Sequence, residues 1–510
     1  MLFGFPLLSL VIWLPIFIGI VVFATGGDRN ARLAKWLALM GSVLSLLVAI
    51  PLYTQFDPIM SGMQFVEYHA WIERFNIHYH LGVDGIAVPL ILLNCFTTPL
   101  VVIAGWQVIS NRVSQYMGAF LVMSGMVNGV FSSLDAILFF VFWETSLIPM
   151  FLIIGIWGGP NRVYAAIKFF LYTLFGSVLM LLAILALYFT TEPHTFDMTK
   201  LIAQSGKYST TVISFWPFDW LGWGFQHVVW MALFIGFAIK IPAFPFHTWL
   251  PDAHVEAPTA VSVVLAGVLL KMGTYGILRI NFPMLPVATA DFAFYLLGAL
   301  GAWNIIYGAL CAMAQTDLKK LVAYSSVSHM GYVMLGMAAF TPQGINGAVL
   351  QMFNHGIITG MLFLLVGVIY DRAHHRNIDG FGGLATVMPI YTGVTALAFF
   401  ASMGLPGLSG FISEVLVLLG AWERYQVLAM IGASGIILTA GYFLWTMQRV
   451  YLGPPNEKYQ SLPEINGREL FTLVPLGIIV VVLGVYPHAV LDLISSTLNQ
   501  LNQIVIPHLS

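Results

Sequence analysis

Stretches of about twenty apolar residues follow one another almost without pause from residue 3 to residue 493, and no other feature of the sequence restricts the fold so severely. A hydrocarbon layer ~30 Å thick is crossed by about 20 residues of helix, and within it every backbone N–H and C=O must find its partner inside the protein. The chain is therefore expected to be an all-α polytopic membrane protein. Breaks at Gly, Pro and charge clusters mark about fourteen spans, near 3–24, 34–53, 83–107, 116–133, 135–158, 165–190, 226–249, 259–281, 290–313, 319–340, 344–370, 387–421, 427–449 and 470–492. Composition agrees: of 510 residues, 59% are apolar and 8% charged, against about 25% charged in an ordinary soluble domain. So few charges cannot wet the surface of a soluble enzyme. A formal net charge of -2 offers no field for nucleic acid. Cys95 and Cys311 lie in apolar stretches with no CxxC or Cys/His cluster and read as small buried hydrophobes, so no disulfide, metal, iron–sulfur cluster or haem is expected.

The first span follows no basic n-region and no A-x-A site, so it reads as a retained helix. Thirteen of the 20 Lys and Arg fall in one set of alternate loops and five in the other, with Lys240 and Lys271 inside spans. By the positive-inside rule, both termini are expected on the periplasmic side. Two long interspan segments, 54–82 and 191–225, are rich in aromatic and charged residues and are expected to cap one face. The tail 493–510 carries Ile494, Leu498, Leu501 and Ile504 at helical spacing and is expected to lie along the membrane interface.

Four charges fall where they are costly, at about 2.5–3.5 kcal/mol each near the bilayer centre. Glu144, in FVFWETSLIP, stands about nine residues into its span, or ~14 Å. Lys240 and Lys271 are central to theirs, and Glu414 sits in a late one. A structural ion pair or a snorkelling head group is the alternative, but at mid-span a row of sites that gain and lose protons fits better. Lys240 is followed by Pro242, Pro245 and Pro251, and Glu414 is preceded by Gly404, Pro406, Gly407 and Gly410. Each cluster should break a helix inside the membrane, and two broken helices at corresponding places point to a transporter built from repeats. His329 and His355, in otherwise apolar helices, are candidates for proton relay. His247 and His254 flank Trp249 and Pro251 after the first break and are candidates for a gate or loop anchor. Asp84 and Asp135 begin their spans and read as interfacial or helix N-terminal acids.

The segments FFVFWETSLIPMF (139–151), LPDAHVEAPT (250–259), AQTDLKKLVAYSSVSHMGYV (314–333) and MGLPGLSGFISE (403–414) resemble the antiporter-like, proton-translocating subunits of respiratory complex I, from about residue 65 to 455. Within that family a glutamate in the late broken helix is typical of the M-type (chain 4) branch, whereas paralogues and Mrp-type antiporters typically carry lysine; here it is Glu414. The resemblance implies fourteen helices with two inverted five-helix repeats. These would occupy 116–281 and 290–449, flanked by 1–115 and by a last helix and short tail at 450–510. Carried over by position, it implies Glu144 and Lys240 as an ion pair, Lys271 and His329 as the central connection, and His355 with Glu414 as the exit. It further implies that NADH, FMN, iron–sulfur clusters and quinone belong to partner subunits and that this chain holds no cofactor. Its expected neighbours are paralogous antiporter-like subunits on either side, with membrane lipids, in a bacterial inner membrane. The rival readings are an Mrp-type cation/proton antiporter subunit, a quinone-binding or haem-bearing redox subunit, and a passive scaffold.

Overall fold

The computed structural model describes residues 6–211 and 222–509; residues 3–5 of the first expected span and 212–221 of the second long segment lie outside them. Helices α1 (Leu7–Phe23) and α2 (Ala31–Ala49) come first. A hairpin of β1 (Gln64–Ile72) and β2 (Ile77–Val83) follows, then α3 (Ala87–Val108), α4 (Val113–Ser132), α5 (Ala136–Trp157) and α6 (Arg162–Thr190). Next come α7 (Phe225–Lys240), α8 (Trp249–Glu256), α9 (Thr259–Met284), α10 (Pro286–Met313), α11 (Leu318–Ala339) and α12 (Pro342–Ala373). The chain closes with α13 (Pro389–Ser402), α14 (Ser409–Arg424), α15 (Gln426–Val450), α16 (Gly467–Val485) and α17 (His488–Val505). Among the described residues nine helices are long and apolar enough to cross a membrane, and α1, α7 and α13 are shorter apolar ones. The remaining expected spans hold α4 and α11, and both expected breaks are present, between α7 and α8 and between α13 and α14.

The hairpin departs from the all-α expectation, and its residues explain it. Polar and apolar side chains alternate over 67–70 of β1 and 77–81 of β2, and Asn76, a residue that tolerates left-handed backbone, turns the chain at φ 55°. Buried Glu67 docks the hairpin on the bundle by accepting the Leu8 amide (2.8 Å), the Ser9 amide (3.2 Å) and the Ser9 hydroxyl at the positive end of α1. Asp135 accepts the amides of Ile137 and Leu138 as the N-cap of α5 and takes the His78 amide at 3.0 Å. Asp84 likewise accepts from Ile86 and Ala87 and pairs with Arg279 at 2.6 Å. Both acids thus take the helix-start role expected of them. Asn76 reaches the His194 carbonyl and His80 faces Asp197 at 3.5 Å, so the described parts of the two long segments interlock over one face.

Tyr486 and Pro487 end α16, and α17 turns Leu493, Ile494, Leu498 and Leu501 against the bundle, chiefly α12, rather than toward lipid. On the opposite face the basic loops meet. Asp28 accepts the Arg112 and Val113 amides, Arg372 holds Glu469 through two bonds, and Arg376 and Arg449 pair with Asp317 and Asp379. Lys319, counted with these loops from sequence, is instead buried and donates to the Ala257 carbonyl at 2.5 Å.

Burial pushes the Asp197 carboxyl up, but His80 and Thr199 outweigh it through hydrogen bonds and charge and hold it at about 2, below its ordinary 3.8. A folded value below the unfolded one stabilises the cap above pH 3.8, and that contribution disappears as the pH falls toward 2. Asp197→Asn is therefore expected to lower the detergent Tm at neutral pH. The gap to the parent protein should close on acidification over that interval; a gap that persists at low pH would contradict this role.

Candidate functional site

Lys240 is the last residue of α7, at the helix end where the macrodipole is negative. Pro242 and Pro245 prevent the helix from continuing, and named groups satisfy the opened backbone. The Trp249 indole donates to the Ile239 carbonyl (2.9 Å), and the Phe244 amide donates to Asn304 (3.0 Å). The Lys240 Nζ lies 5.3 Å from the Trp143 ring centroid and 5.7 Å from that of Phe169. Glu144 is next to Trp143 in α5 and close enough for its charge to act on Lys240. The two do not form the direct ion pair the resemblance implied: no ion pair within 4.0 Å joins them among the described residues, and Glu144 Oε1 has no hydrogen-bond partner. His247 lies in the break, with Nε2 3.1 Å from the Tyr307 hydroxyl.

Lys271 is fully buried in α9 between two wide helical turns, Leu265–Leu269 and Ile277–Asn281. Its Nζ donates to the Ala266 carbonyl (2.5 Å) and to His355 Nδ1 (2.7 Å). The contact exists because α9 and α12 cross at glycines: a Cβ on Gly356 would stand 2.7 Å from the Gly267 carbonyl oxygen and 2.5 Å from Leu93. Lys271 is one turn beyond Gly267 on the same side, and His355 precedes Gly356, so the close crossing sets one beside the other.

From His355 the row continues to His329, the ring centroids 5.8 Å apart. His329 Nδ1 lies 3.0 Å from Glu414 Oε1, and its Nε2 lies 3.1 Å from the Ser402 hydroxyl. A cavity of about 10 Å³ lined by His329, His355, Gln351, Ser402 and Glu414 has room for about one water among these groups. The contact order therefore differs from the one carried over by position: His355 meets Lys271, and His329 meets Glu414. Gln351 and Ser402 were not singled out in the sequence. Gln351 stands four residues before His355, on the same helix face, and that spacing was the available signal. His254 is buried against Phe363 (centroids 4.5 Å apart), and neither ring nitrogen has a hydrogen-bond partner.

Residues 34–131 match the family described as NADH-ubiquinone oxidoreductase chain 4, amino terminus, and residues 133–439 match NADH:quinone oxidoreductase/Mrp antiporter, TM. NADH-quinone oxidoreductase subunit M of Rhodobacter capsulatus is 46% identical over 506 residues, 98% of this chain and 96% of that protein. The chain belongs to the subunit M (chain 4) family of NADH:quinone oxidoreductases. Among solved structures, a chain of respiratory complex I from Thermus thermophilus superposes with a TM-score of 0.86 at 28% identity, covering 98% of this chain and 99% of that one. A chain of the Mrp complex from Dietzia sp. has a TM-score of 0.82 at 20% identity over 99% of each, which shows a shared fold alone. The family recognised from LPDAHVEAPT and AQTDLKKLVAYSSVSHMG is thus the one the whole chain matches.

In this subunit M relative the Gly356 crossing sets the Lys271 contact. Gly356→Ala is expected to push α9 from α12 and cost about 1–3 kcal/mol, read as a lower detergent Tm. An unchanged Tm would show that the crossing is not tight.

Proposed function

We propose that this chain carries protons across the membrane through Glu144, Lys240, Lys271, His355, His329 and Glu414, as a membrane-arm subunit of NADH:quinone oxidoreductase. The observation that supports this most is the buried run from Lys271 through His355 and His329 to Glu414, in which each group lies against the next. Two positive charges 2.7 Å apart repel strongly in a low-dielectric interior, so Lys271 and His355 hold one proton between them. His355 accepts from Lys271 at Nδ1 and can pass a proton on from Nε2, which has no hydrogen-bond partner. A water in the cavity would bridge to His329, and the Glu414 carboxylate supplies a counter-charge for the arriving proton. Upstream, the Lys240 ammonium lies against the Trp143 and Phe169 rings, with Glu144 as an electrostatic partner at longer range. His247 gates the first break from the Tyr307 side.

In this reading NADH oxidation and quinone reduction occur in partner subunits, which hold NADH, FMN, iron–sulfur clusters and quinone. This chain contributes transport without a redox centre of its own. The regions 116–281 and 290–449 act as two repeats, each with one broken helix. Paralogous antiporter-like subunits lie on either side in a bacterial inner membrane, and the excess of Lys and Arg in one set of loops favours both termini in the periplasm. The Mrp-type antiporter reading has the likeness of fold in its favour, while Glu414 and the identity to subunit M proteins favour the oxidoreductase.

Glu144→Gln, Lys240→Ala and His355→Ala, made separately in the complete oxidoreductase, are each expected to lower NADH-driven proton pumping in membrane vesicles by roughly tenfold or more. Pumping at the parental level from assembled complexes of all three would overturn the proposal.

A further inference from the structure

Two buried polar atoms that find no partner within the protein belong to residues lining one cavity, away from the row of charges. Tyr116 of α4 is 0% exposed. Its ring packs edge-on against Phe120 and Trp157, with centroids 4.9 and 5.3 Å away, and its hydroxyl has no hydrogen-bond partner. Gly105 of α3 carries no side chain to cover that hydroxyl: a Cβ there would stand 3.6 Å from its oxygen. Arg468 of α16 donates through Nη1 to the Ile103 and Ala104 carbonyls near the end of α3, both at 3.1 Å, while its buried Nε is left without an acceptor. Buried groups in this state are costly unless something polar reaches them, so the cavity calls for an occupant.

Asp371, near the end of α12, is the third polar group on the cavity. It is exposed, and among the described residues its carboxylate has no hydrogen bond or ion pair, although the charges of Arg468 and Arg372 reach it. Glu469, the other carboxylate on the cavity, is already taken by Arg372 through bonds of 2.9 and 2.8 Å. The remaining wall is largely apolar, with Val108, Leu364 and Val368, and the volume is about 50 Å³, room for roughly three or four waters. Here α3 and α12 end while α4, α9 and α16 begin, so the cavity lies where the spans reach the basic face, at the depth of lipid headgroups.

The charges at this cavity choose among occupants. A simple anion would suit Arg468 but be repelled by Asp371, and a simple cation would meet the reverse. A group that carries a phosphate and an ammonium a few ångströms apart suits both. We propose that this cavity is a site for the headgroup of an ethanolamine phospholipid. Arg468 donates from Nε to the phosphate, Asp371 accepts from the primary ammonium, and the Tyr116 oxygen accepts a further N–H from it. The nitrogen and its two methylenes match the small volume, and the apolar wall lies beside the glycerol and the start of the acyl chains.

The test uses the complete oxidoreductase, stripped of lipid in detergent and irradiated with a phosphatidylethanolamine that carries a photoreactive group at the top of one acyl chain. Label is expected on peptides that contain residues 104–109 and 364–371. Unlabelled phosphatidylethanolamine should displace it at roughly tenfold lower concentration than phosphatidylglycerol, which has the phosphate but no ammonium. Asp371→Asn and Tyr116→Phe, which keep the shapes, should each lower the labelling several-fold. Competition on the parent protein decides the matter even where a variant assembles poorly. Equal displacement by phosphatidylglycerol would overturn the proposal, as would parental labelling in both assembled variants. Label absent from these peptides would mean that the cavity holds water alone. Displacement by free phosphoethanolamine as effective as that by the lipid would assign the site to a soluble zwitterion instead, and the lipid assignment would fall.

Discussion

Hydrocarbon solvates neither a charge nor an open backbone group, and the structure meets both demands at the same places. Where α7 stops at Lys240, the broken helix offers carbonyls that suit an ammonium, and the Trp249 indole, the Asn304 side chain and the Ala238 carbonyl bond to the backbone that the prolines open. Where α13 gives way to α14, Gly404 and Gly407 take up φ of 76° and 92°, which favour glycine, and Asn354 donates to the Ser409 carbonyl. Each break thus creates the polar surroundings that its neighbouring charge requires, and each charge sits where such surroundings exist.

Between the breaks the geometry is set by close backbone approach rather than by polar bonding. Buried α9 crosses α12 at Gly267 and Gly356, and the wide turns on either side of Lys271 orient the Ala266 carbonyl for its ammonium. The far end of α9 is held by Arg279, which bonds both Asp84 and the Tyr275 hydroxyl, while Tyr275 donates to the Phe131 carbonyl. A helix fixed at its end and at its crossing leaves Lys271 little freedom and holds its ammonium against the Ala266 carbonyl and His355.

The sequence makes the helices, the two breaks and the buried charges legible, because each follows from one local rule: apolar length, proline and glycine position, or charge inside a span. Asp135 as a helix cap was readable for the same reason. The order of contacts was not. His329 and His355 lie on different helices, and which of them meets Glu414 depends on how α11, α12 and α14 are rotated against one another, something no single segment encodes. Lys319 was misread because a charge at a span boundary looks like a loop charge until a neighbouring helix end, here Ala257 after α8, covers it. The hairpin was missed because 64–83 was weighed for its charges and aromatic residues and not for the alternation at 67–70 and 77–81.

The two halves of the row are not in equivalent arrangements. In the second, His329 and Glu414 are bonded at 3.0 Å and backed by Ser402 and Gln351. In the first, Lys240 faces aromatic rings, Glu144 Oε1 has no hydrogen-bond partner, and among the described residues no hydrogen bond or ion pair joins Lys240 to Lys271. A row continuous throughout would let protons run down their gradient, because nothing would tie passage to an energy input. A row joined at one end and open at the other needs a change in charge or packing at the gap before a proton can pass. Such a change can come from outside the chain, since small shifts between packed helices switch contacts on and off rather than stretching them. On the proposed function, the space between Lys240 and Lys271 is therefore the part of the molecule through which a remote reaction would most directly control transport.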